Sequence, residues 1–112
     1  MKKLMLFLLT LFPSIAFADG FGTFSADGSG EEVSLNRGQG YMHLEGTFGS
    51  GTVTLELKLR DDTWGAMQTY TAEPSPNPVV INLGGANSVV RVTLSGSTSP
   101  SLYWEVRESD IR

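Results

Sequence analysis

The chain contains no cysteine and only one histidine, His43, in 112 residues. No thiol nucleophile, thiolate metal ligand or disulfide is therefore available. Many small exported domains offset a small core with disulfides; this one has to rely on apolar burial, on association or on bound ions. Lysine is scarce too, confined to Lys2, Lys3 and Lys58. Eight basic residues stand against twelve acidic ones, for a net charge of −4, and the part of the chain beyond Lys2 and Lys3 is more acidic still. Such a surface repels phosphate backbones and anionic lipid, which argues against nucleic acid as a partner. There is no internal repeat and no amphipathic helical period. The longest apolar run, residues 4–15, is shorter than the roughly 20 residues a permanent membrane helix needs.

That run has another use. Lys2 and Lys3 precede it, Pro13 interrupts it near its end, and Ala16-Phe17-Ala18 follows with small residues at alternate positions. Basic, apolar and small-residue regions in this order form a signal peptide cut after Ala18. No cysteine follows that could carry a lipid. The expected organisation is a signal peptide over 1–18, a flexible Gly-rich arm over 19–30 and one folded domain over 31–112. The protein would then be exported through the inner membrane to the periplasm, the medium or a virion surface, with no permanent membrane span in its mature form.

Alternation with a period of two dominates the rest. Within residues 51–60, Val53, Leu55, Leu57 and Leu59 point one way, while Thr52, Thr54, Glu56, Lys58 and Arg60 point the other; this is the pattern of a half-buried strand. Val90, Val92 and Leu94 repeat it, as do Leu102, Trp104 and Val106, and Val79, Ile81 and Leu83. Weaker candidates span 31–36, 40–46 and 64–71. Gly- and Asn-rich segments separate them, together with Arg60-Asp61-Asp62-Thr63 and a stiff loop carrying Pro74, Pro76 and Pro78. Strands at this spacing indicate a single antiparallel β-sandwich of about seven strands, jelly-roll-like or Ig-like. Its core is expected to include Val53, Leu55, Leu57, Leu59, Ile81, Val92, Leu94 and Trp104.

The inventory for catalysis is thin. His43 alternates with Met42 and Leu44 and so falls on the polar face, without a second metal-type ligand at useful spacing. Asp61-Asp62 and Glu31-Glu32 are carboxylate pairs, but neighbours in a strand face opposite ways and rarely converge on one bond. Asp27-Gly28-Ser29-Gly30-Glu31 offers oxygen ligands in a turning segment, yet lacks the full calcium-loop pattern. No catalytic residue and no cofactor is expected. Aromatics are the more promising groups. Trp104 belongs to the apolar face. Trp64 is expected to cap one end of the sandwich, and Tyr41, Tyr103 and Tyr70 to lie on polar faces. Exposed rings there can anchor a protein interface or stack on sugars, so Tyr41, Trp64 and Tyr103 are the candidate interface or ligand-stacking residues.

Gly46-Thr47-Phe48-Gly49-Ser50-Gly51-Thr52-Val53-Thr54-Leu55-Glu56 leads into Thr63-Trp64; later come Val90-Arg91-Val92-Thr93-Leu94-Ser95-Gly96 and Thr98-Ser99-Pro100-Ser101-Leu102. This succession resembles small β-sandwich accessory virion proteins of tailed bacteriophages and prophages, head decoration or tail-associated, over about residues 31–107. The resemblance implies a non-enzymatic structural or assembly role, with copies of itself or a larger protein assembly as partner. It carries no catalytic residues. The signal peptide departs from it, since such virion proteins assemble in the cytoplasm. The alternative is a secreted module that binds carbohydrate or protein through Tyr41, Tyr103 or Trp64. The export reading has a direct check. Mass spectrometry of protein recovered outside the cytoplasm should give Asp19 as the first residue, whereas intact Met1 in a membrane pellet would mean an uncleaved anchor.

Overall fold

A computed structural model describes residues 19–109; the expected signal peptide lies outside the described residues. The described chain is all-β. Its strands are β1 (Asp19–Phe24), β2 (Gly28–Ser29), β3 (Val33–Leu35), β4 (Gln39–Thr47), β5 (Thr52–Lys58), β6 (Trp64–Tyr70), β7 (Val79–Asn82), β8 (Ser88–Ser95) and β9 (Ser101–Glu108), with one 3-10 turn at Asn36–Gly38. No other helix interrupts the described residues. The strands form two antiparallel sheets, an arrangement compatible with a β-sandwich. One runs β1-β9-β4-β7; in the other, β2 and β3 lie along one side of β8, followed by β5 and β6.

The pairing is nested. β1 pairs with β9, β2 and β3 with β8, β4 with β7, and β5 with β6. The chain is thus folded back on itself about the β5–β6 hairpin and rolled so that its halves lie side by side. Period-two patterning places the core as expected: Val53, Leu55, Val90, Val92 and Leu94 from one sheet meet Met42, Leu44, Leu102, Trp104 and Val106 from the other, all buried. Full burial of one such side chain contributes about 1.5–3 kcal/mol, and no disulfide supplements it.

Four expectations need correction. Residues 19–30 are not a loose arm: they supply β1 and β2, which accounts for nine strands where about seven were expected. Leu59 is 45% exposed rather than core, because β5 ends at Lys58 and the chain turns there, Leu59 N–H donating to Thr63 O at 2.8 Å. Leu57 is only half-buried against the core. Tyr70 faces inward, not onto a polar face. It pairs with Val53, and a register shift in the β5–β6 ladder between Leu55 and Glu56 changes which side of β6 is apolar. Burial pushes its phenol pKa up.

The Trp104 indole explains why β1 is held. A Cβ at Gly30 would lie 2.7 Å from Cε2 of Trp104, at Gly22 3.1 Å from its Nε1, and at Gly20 3.1 Å from its Cη2. Three glycines thus leave a slot of indole shape, and Phe24 closes it with its ring centroid 6.3 Å from that of Trp104. On the far side of this sheet, β7 is too short to cover β4. The Asn77 amide continues its role, donating to Leu44 O at 2.7 Å and accepting from Leu44 N–H at 3.3 Å, and the Glu73 carboxylate accepts from Gly46 N–H at 2.8 Å. The proline-rich loop therefore satisfies the backbone edge that β7 leaves bare, as buried or half-buried peptide groups require.

Gly30→Ala should destabilise the fold by about 1–3 kcal/mol, the usual cost of overpacking a filled site. Gly28→Ala, two residues away, would place its new methyl where no atom lies within 4 Å, and should be close to neutral. Urea denaturation of both variants checks this; equal midpoints would refute the slot.

Candidate functional site

Alternate residues of the four-stranded sheet point away from the core, and cross-strand register sorts them into rows. Asp19, Arg107, Tyr41 and Val80 form one row, Phe21, Glu105 and His43 the next, and Thr23, Tyr103 and Glu45 the third. Neighbouring strands stand about 4.8 Å apart, so these side chains make a continuous surface. Phe21 is 68% and Val80 79% exposed; Tyr41, His43 and Tyr103 are half-buried among their neighbours.

The polar groups of this face hold one another. Glu105 accepts from the Tyr103 hydroxyl at 2.9 Å through Oε1 and from Arg107 Nε at 2.7 Å through Oε2. The neighbouring Tyr41 hydroxyl, and then the charge of Glu105, raise the Arg107 guanidinium pKa further. The bond to Glu105 likewise raises the Tyr103 phenol. His43 Nε2 lies 3.0 Å from Glu45 Oε1, and its ring sits 6.3 Å from that of Tyr103 at a tilt of 60°. A shallow depression of about 250 Å³ opens beside this network, lined by Asp19, Gly20, Phe21, Tyr103, Glu105 and Arg107.

Of the three candidate residues, the structure brings Tyr41 and Tyr103 onto this one face and separates Trp64 from them. Trp64 does not cap an end of the fold. It begins the edge strand β6 on the outside of the other sheet, with the Arg91 guanidinium 4.2 Å and Lys58 Nζ 5.9 Å from its ring centroid. Glu56 anchors this stack, accepting from Arg91 Nε and from the Thr93 hydroxyl, both at 2.7 Å. Burial pushes the Glu56 carboxyl pKa up, but the bonds from Arg91 and Thr93 outweigh it and the net shift is downward. A ligand stacking on that face of Trp64 would have to displace Arg91. Phe21 was missed from sequence because Gly20 and Gly22 beside it hide the alternation of β1.

One member of each carboxylate pair is engaged locally. Glu32 receives Lys58 Nζ at 3.4 Å, and Asp61 accepts from the Thr63 hydroxyl at 2.6 Å and Thr63 N–H at 3.2 Å. Asp27, weighed from sequence as a calcium ligand, instead clamps the β8–β9 loop: its carboxylate accepts from Gly96 N–H at 3.0 Å, Ser97 N–H at 2.9 Å and the Ser97 hydroxyl. No group of three or more His, Asp or Glu side chains that could hold a metal is found among the described residues. No family profile, curated protein or solved structure matches this chain.

The Asp27 clamp makes a pH prediction. The Ser97 hydroxyl, then the backbone groups, hold its pKa below the ordinary Asp value. A carboxyl depressed in the folded state contributes stability above its unfolded pKa, about 3.9, and loses it as pH falls through the folded value. Asp27→Asn should therefore melt below the parent at pH 7, and the gap should narrow as pH falls below the ordinary carboxyl value of about 3.9 and through the lowered folded value. An equal gap at both pH values would refute the clamp.

Proposed function

We propose that this chain is an exported, non-enzymatic assembly protein, an accessory component of a virion or other extracellular surface assembly, built as a jelly-roll β-sandwich and joining copies of itself by strand addition. The nested pairing supports the jelly-roll reading, since a chain folded in half and rolled gives that topology. The fold is shared by capsid and lectin domains, so this support is by analogy of architecture and leaves the function to be argued from surfaces.

The observation that carries the reading is the open seam between β6 and β7. Each of these strands has one hydrogen-bonded neighbour, β5 and β4 respectively. Between them lies a cleft of about 260 Å³ whose apolar walls include Leu55, Met67, Tyr70, Val79, Ile81 and Leu83. Free backbone groups on both rims and apolar side chains on the floor are what an added extended strand uses, the backbone for affinity and the floor for its alternate side chains. Edges are often protected by lysine; neither strand carries one, and the irregularity in β6 is confined to the register shift opposite Leu55 and Glu56. Against this, Asp27, Glu32, Glu56, Asp61 and Glu105 are engaged in local clamps and ion pairs.

Light scattering coupled to size-exclusion chromatography tests the reading. The mass of the parent should rise with concentration, and Met67→Lys with Val80→Lys, which place charge on the two edge strands, should hold it at the monomer. A parent that stays monomeric over the whole range, with a melting temperature independent of concentration, would overturn self-assembly.

A further inference from the structure

We infer that the outer face of the four-stranded sheet carries a binding site for a neutral glycan, centred on the depression between β1 and β9. This surface is distinct from the β6–β7 seam and would give the protein a second contact, with sugar rather than with its own copies.

The ligand class follows from the chemistry of the lining. Phe21 stands out of the sheet, 68% exposed, on the β1 rim of the depression, and Tyr103 rises from β9 on the same hollow. A pyranose ring presents an apolar C–H face and a rim of hydroxyls, so it suits a site with an aromatic ring beside paired donors and acceptors. Those line the same hollow: Glu105 offers acceptor oxygens, and Arg107, 54% exposed, uses Nε on Glu105 and keeps further N–H donors for solvent. The hollow, about 250 Å³, lies just below the usual range of drug-sized pockets and suits one sugar ring, with the chain continuing over Tyr41 and His43 in the neighbouring rows.

Charge decides against the other occupants. Asp19, Glu45 and Glu105 outnumber Arg107 on this face, and the whole chain is net acidic, so phosphate backbones, anionic lipid and acidic polysaccharides are repelled. A cationic partner would have to pull Glu105 from Arg107 and the Tyr103 hydroxyl, which hold it at 2.7 and 2.9 Å. A neutral polyhydroxyl chain can use the network as it stands, and groups already fixed by one another lose little freedom on binding.

Affinity electrophoresis of the purified full chain through gels containing glucomannan or hydroxyethylcellulose, with alginate as the anionic counterpart, tests the site. At least one neutral polymer should retard the protein and alginate should not. Phe21→Ala, which removes an exposed ring without touching the core, and Arg107→Gln should each weaken retardation about tenfold, the scale of one aromatic contact or charge-assisted bond. Trp64→Ala, on the opposite sheet, should leave it unchanged, as should Met67→Lys alone, whose side chain lies in the β6–β7 cleft, so a change at the seam and loss of sugar binding are read separately. Migration unaffected by either neutral polymer, or retardation that survives Phe21→Ala, would overturn the proposal.

Discussion

The Trp104 indole is the contact on which the remaining arrangement depends. It hangs from β9, inside the four-stranded sheet, and reaches the place where β1 lies over it and where residue 30 passes between β2 and β3. Three glycines and Phe24 receive it. In a chain without cysteine, this apolar contact ties the first described strand and the β2–β3 segment to the last strand. Large-to-small changes at a buried Trp cost about 3–5 kcal/mol, a large share of the stability of a domain this size.

That contact also sets the asymmetry of the molecule. One side is closed by the indole slot, with Gly30 N–H donating to Val92 O at 2.7 Å to bind the crossing segment to the other sheet. The opposite side, between β6 and β7, has no such plug and stays open over apolar side chains. The backbone beyond β7 is nevertheless satisfied by Asn77 and Glu73. The protein thus protects part of that edge with side-chain surrogates and leaves the cleft next to it available, which is where the assembly reading rests.

The two outer faces use similar residues for different ends. On one, Arg91 is drawn over Trp64 by Glu56 and the ring is covered. On the other, Arg107 is drawn to Glu105 by the same kind of bond, but the neighbouring ring, Phe21, is left free. Exposed ion pairs of this sort add little stability, commonly below about 1 kcal/mol; their effect here is positional, fixing which aromatic surface water sees.

Period-two alternation made β5, β8 and β9 legible, since a strand with one face in a core must repeat every second residue, and the core positions Val53, Leu55, Val92, Leu94 and Trp104 followed from it. The same alternation assigned Tyr41, His43 and Tyr103 to the outside. Glycine has no side chain to alternate, so β1 and β2 read as a loose arm although they are sheet; their order comes from a ring supplied some eighty residues later. Leu59, Tyr70 and Trp64 were misplaced for a related reason: a strand end, a register shift and a cation drawn over a ring are set by partners across the sheet. Sequence by itself determined the strands that alternate apolar and polar residues, β5, β8 and β9 above all, because that pattern is local. The tertiary structure decided which edges stay open and which aromatics share a surface, because pairing between distant strands fixes both.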